Sequence, residues 1–225
     1  MASDISYEAF EQLARQEFSY LESDFGFHAP IRGKPITWTP VILSYRNSTT
    51  GVDVAYSEEF VRCDVALVRL VAGAPPPHPV FVSDVPVLDH FNLDQLLLLR
   101  APRELAAITP HEGNEHDGLT PAQMATSLRL RASALRDHGS DILRGDFSSF
   151  AEMEREVRAR LVDHPEKVIV WTPAGTSTDE IVGELQGAHP NIETEVRTYR
   201  LPQGKQTLKG SAAARLRAWL AKLIH

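Results

Sequence analysis

The sequence predicts an α+β fold: an antiparallel β-meander covered by an N-terminal helix and a helical pair, followed by a small C-terminal βαβα unit. Two patterns and a charge shift carry this. Apolar residues recur at helical steps before residue 25, and four β-rich stretches separated by turn formers follow them. After His164-Pro165 the order becomes strand, helix, strand, helix. The charge balance changes at the same place: residues 1–166 hold 25 acidic and 15 basic side chains, net −10, whereas residues 167–225 hold 5 and 8, net +3. The expected division is therefore an α+β domain over 1–164 and a βαβα unit over 165–225 that docks on it or stands as a module.

The first helix is expected over Ser6–Asp24, because Phe10, Ala14, Phe18, Leu21 and Phe25 make one apolar face and Gly26 stops it. Strands follow at Ile36–Arg46, Val52–Ser57, Phe60–Val71 and Pro79–Ser83, all rich in Val, Ile, Tyr, Phe or Thr. In the third, Val61, Cys63, Val65, Leu67 and Arg69 share the face expected to meet the core. Pro75-Pro76-Pro77 reads as a stiff connector, since proline fixes φ and donates no backbone hydrogen bond. Asn92–Leu99 reads as a short buried helix ended by Ala101-Pro102, and Thr109–Gly118 as a polar loop.

Thr120-Pro121-Ala122-Gln123 is a helix start, with a capping threonine, proline at the first helical position and glutamine three residues after the cap. The helix is expected to run through Met124, Leu128, Leu135 and Ile142 to Gly145. Ser149 with Glu152 should cap the next, whose stripe is Phe150, Met153, Val157 and Leu161. Beyond Pro165, strands at Lys167–Thr172 and Ile192–Leu201 flank a helix capped by Ser177, and a last helix opens at Ser211. If the two strands share a sheet, they pair in parallel.

Composition bounds the function before any motif does. With 225 residues, 43% of them hydrophobic and 24% charged, the chain has a globular make-up that excludes collagen, coiled coil and long disordered tails. Apolar runs such as Leu96–Leu99 are far below the roughly 20 residues that span a bilayer, so no membrane partner is expected. The start Met1-Ala-Ser-Asp-Ile-Ser-Tyr-Glu has neither a basic nor an apolar stretch of signal length, which points to the cytoplasm. Cys63 stands alone, which forbids an internal disulfide and suits a reducing compartment. A net charge of −7 opposes non-specific attraction to nucleic acid.

Three stretches carry candidate chemistry. In His111-Glu-Gly-Asn-Glu-His116-Asp117, His111 and His116 have side chains able to hold a divalent metal, yet the helical His-Glu-x-x-His pattern is absent and the plainer reading is a solvated acidic loop. Its Glu112, Glu115 and Asp117 are then candidate contacts for a basic partner. Gly175, Thr176, Ser177 and Thr178 lie between a strand and a helix start, where backbone N–H groups hold anions, but no phosphate-binding glycine motif accompanies them. Asp89-His90 are adjacent, a spacing that does not aim both at one substrate atom. Neither Ser211 nor Cys63 sits in a nucleophile motif, and no cofactor is expected. The C-terminal bases, from Arg197 to Lys222, read as a solvated face; Arg129, Arg131, Arg136, Arg155 and Arg158 have acidic neighbours and are expected in surface ion pairs.

Residues 7–161 resemble small, mostly uncharacterised bacterial α+β proteins of the immunity-protein kind. The resemblance is carried by Phe25-Gly-Phe27, Tyr45-Arg-Asn47 with Thr50-Gly-Val52, Val65-Ala-Leu-Val-Arg-Leu70, Leu98-Leu-Arg-Ala-Pro102 and Gly145-Asp-Phe-Ser-Ser-Phe150. It implies an α+β protein that acts by binding, and it transfers no site residue; with no assembled active site and a ten-charge acidic excess, the expectation is a non-catalytic binding protein of the toxin-neutralising kind or another component of a conflict system. The expected partner is a protein, with a basic toxin as its type. The alternative is an enzyme or ligand-binding protein using a phosphate-type ligand at 172–178 or a metal at 111–117.

Overall fold

The computed structural model describes residues 7–33, 41–57, 62–76, 82, 85–108, 119–163, 167–173, 183, 187 and 193–199. Two compact units divide the chain: Met1–His78 with Pro86–Arg155, and Pro79–Val85 with Glu156–His225. The architecture is α+β, as expected.

In the first unit, α1 (Tyr7–Glu17) and α2 (Tyr20–Phe25) replace the single expected helix. Ser19 Oγ donates to Gln16 O at 2.9 Å at the break, so the side chain competes with the helical ladder there. The apolar stripe continues across the break: Phe10, Ala14, Phe18 and Leu21 are fully buried. Gly26, with φ +67°, ends α2 in the left-handed region that favours glycine.

Five antiparallel strands follow in sheet order: β1 (Ile31–Arg32), β2 (Val41–Arg46), β3 (Thr50–Ser57), β4 (Arg62–Arg69) and β5 (His90–Asn92). Register places Tyr45 opposite Val52, Val52 opposite Leu67, and Leu67 opposite Phe91, so period-two alternation puts all four on one face. All are buried, together with Leu43, Val54, Cys63 and Val65. The expected core face of β4 is thus the observed one, although Ala66 and Val68 on its reverse are also buried. Two-residue β1 and three-residue β5 were not anticipated, and neither carries the long alternation that marks a strand. The expected strand at Pro79–Ser83 lies outside the described residues except Val82, which occupies a 3₁₀ turn.

The β2–β3 connection is an Asx turn. Asn47 Oδ1 accepts from the backbone N–H groups of Thr49 (3.0 Å) and Thr50 (2.7 Å).

Helices cover the core face. α3 (Leu93–Arg100) opens with a reciprocal Asn92–Gln95 cap, and α4 (Pro102–Ile108) follows at once. Ala101-Pro102 ends α3, as expected, and Pro102 also begins α4, because proline at the first turn forfeits no intrahelical bond. α5 (Pro121–His138) starts with the expected Thr120–Gln123 capping box. It stops short of Gly145: the chain bends at Gly139 before α6 (Ser140–Leu143). A Cβ on Gly139 would meet the backbone oxygen of Leu135 at 2.9 Å and its Cδ1 at 2.7 Å, so a side chain here would force a backbone shift. The two helices lend carbonyls to other parts of the unit. Tyr20 OH donates to Ala132 O at 2.9 Å, while Asn47 Nδ2 and Thr50 Oγ1 donate to Leu143 O and Ile142 O at 3.2 and 2.9 Å. The bond from Asn47 gives the Leu143 carbonyl, at the end of α6, a side-chain donor, while the Ile142 carbonyl accepts from both Thr50 and the Gly145 N–H.

α7 (Phe150–Asp163) begins without the expected Ser149–Glu152 box. Ser149 Oγ is buried and makes no hydrogen bond. The start is held instead by packing, with the Phe150 ring edge-on to Phe91 at 4.7 Å and to Phe147 at 5.0 Å.

In the second unit, β6 (Lys167–Pro173) and β7 (Glu193–Tyr199) pair in parallel from Lys167↔Glu193 to Pro173↔Tyr199, as the strand order predicts. Gly183 and Gly187 between them are helical. Arg158 donates to Val82 O (3.2 Å) and Val85 O (2.7 Å), tying this short segment to α7. The final helix expected from Ser211 lies outside the described residues.

Candidate functional site

The side chains available to a partner are clearest on α1 and α2. With Phe10, Ala14, Phe18 and Leu21 buried, Glu8, Glu22 and Asp24 are exposed on these helices, and Glu11 and Glu17 are half-buried at the margin of the apolar stripe. Two of the five are neutralised within the unit. Glu11 pairs with Arg15 at 2.8 Å and Asp24 with Arg136 at 2.7 Å. Hydrogen bonds from Ser23 and Arg136 hold the Asp24 carboxyl below its ordinary value. Glu8 and Glu22 are exposed, Glu17 is half-buried, and none of the three has a cationic partner among the described residues. Arg136 and Arg144 lie over the Tyr20 and Phe25 rings at 4.7 and 5.0 Å, so with Arg15 three cations stand against the five carboxylates of these helices.

Elsewhere in the unit, charges face one another and hold elements together. Arg131 on α5 is 1% exposed and its Nη1 meets Asp94 Oδ1 of α3 at 2.5 Å. This corrects the expectation of a surface ion pair: the partner is 37 residues away in sequence and the guanidinium is inside. Arg100 makes a two-pronged bond to Asp141 at 2.8 and 2.7 Å and donates to His138 O at 2.5 Å. These bonds raise the Arg100 pKa and lower that of Asp141. His138 Nε2 lies 2.8 Å from Glu104 Oε1, linking the end of α5 to α4.

On the sheet, Arg69 pairs with Asp89 and its guanidinium lies 5.8 Å from the ring centres of Phe147 and Phe150. Arg46 crosses Gly51, where a Cβ would sit 2.8 Å from its Nη1, and reaches Asp53 at 2.6 Å. Asp53 also accepts from Ser44 Oγ at 2.7 Å. Burial pushes the Tyr20 and Tyr45 hydroxyls well above their ordinary values, so both act as neutral donors to the carbonyls of Ala132 and Ala14. These arrangements give packing and orientation; none places a base beside a nucleophile.

The sequence-predicted site residues all fall outside the described residues: His111, Glu112, Glu115, His116 and Asp117 in one stretch, Gly175, Thr176, Ser177 and Thr178 in the other. Their flanks are described. Ile108 and Leu119, on either side of the first stretch, are each 2% exposed and so anchor both its ends in the core. The second stretch leaves the C-terminal end of β6, the end of a parallel strand beyond which α/β folds bind ligands. Among the described residues, no group of three or more His, Cys, Asp or Glu side chains is placed to hold a metal, and no helix is long and apolar enough to cross a membrane.

Sequence reasoning missed the acidic face of α1 and α2. Its signal was present, since Glu8, Glu11 and Glu22 fall between the residues of the apolar stripe. Comparison with protein-family models, curated proteins and solved structures gave no match.

Proposed function

We propose that this chain is a non-catalytic binding protein, acting in the cytoplasm, whose acidic first unit engages a basic protein partner in the manner of a toxin-neutralising immunity protein. The observation that carries the reading is the α1–α2 surface, where Glu8, Glu17 and Glu22 have no neutralising cation among the described residues. The excess of 25 acidic over 15 basic side chains across residues 1–166 supports it. Such a field speeds encounter with a basic partner and repels acidic ones. Glu112, Glu115 and Asp117, within the same acidic region of the sequence, are a second proposed contact.

The test is co-purification with the tagged full chain from its native lysate, followed by binding kinetics with the partner identified. A stoichiometric basic protein is expected, with an association rate that falls as salt rises. Reversing Glu8, Glu17 and Glu22 to lysine should slow association about tenfold or more, because steering contributes at least that much to such encounters. Neutralising Glu112, Glu115 and Asp117 should slow it further. An association rate insensitive to both sets of changes would defeat the proposal.

A second reading is favoured by one observation, the parallel pairing of β6 and β7. On this reading a phosphate-type ligand binds at Gly175, Thr176, Ser177 and Thr178. Titration with inorganic phosphate, followed by amide shifts of these residues, separates the readings: saturable shifts abolished by Ser177→Ala with Thr178→Ala support the ligand site. Stoichiometric metal lost on replacing His111 and His116 would instead support the metal alternative.

A further inference from the structure

We draw no further inference here: the strongest candidate, the exposed acidic side chains on the outer face of α1 and α2, belongs to the surface already described, and no second observation there points to a ligand.

Discussion

Arg131 shows how one residue ties two helices together. Its charge sits at 1% exposure against the Asp94 carboxylate, which is 31% exposed, so removing the carboxylate strands a buried charge, whereas replacing the cation by an apolar group of similar size leaves a carboxylate that water reaches. Asp94→Ala should therefore lower unfolding stability by about 3 kcal/mol, while Arg131→Met should cost clearly less; urea midpoints of the two variants check the order. Asp141 offers a pH test at the same scale. The bond from Arg100 lowers its pKa, so its contribution is present above the ordinary carboxylate range and is lost as pH falls through the folded value. Asp141→Asn should lose about 1 kcal/mol at pH 7. Denaturation between pH 7 and pH 2 should show the gap from the parent chain closing at the acid end.

Among the elements, the turn at Val71–Ala74 stores strain that a single change relieves. Val71 and Ala74 exchange backbone bonds of 2.9 and 3.1 Å, and both central residues have positive φ, +51° at Ala72 and +78° at Gly73. This is the type I′ pattern, in which asparagine before glycine is preferred and alanine is penalised. Ala72→Asn should stabilise the unit by about 0.5–1 kcal/mol, read from thermal unfolding. Elements of this kind were legible in part. The Thr120 cap and the core face of β4 follow from local residue order, whereas the breaks after α1 and α5 do not. Phe18 and Ile142 keep the apolar period alive through both breaks, so periodicity alone draws longer helices. The same habit hid Arg131: it falls between Leu128 and Leu135 in the apolar stripe of α5, a position that reads as buried once the guanidinium is granted a partner.

For the whole molecule, the first unit has its own sheet, helical cover and charge pairs. A chain ending at His164 retains every one of those strands and all of α7, and should keep a single cooperative unfolding transition with the helical and strand content of α1–α7 and β1–β5. Circular dichroism and denaturant unfolding check this; a loss of cooperativity would make residues 165–225 part of the first unit's folding. The sequence by itself determined the α+β class, the inward faces of the central strands, the Thr120 helix start and the parallel order of β6 and β7, because each depends on residue spacing along a short stretch of backbone. Only the tertiary structure decided which charges meet, where the helices bend and which acids remain facing outward. Asp94 and Arg131 come together through the packing of α3 on α5, and the space beside Gly139 is taken by Leu135. Those outcomes depend on distant surfaces competing for the same volume, which local propensity does not encode.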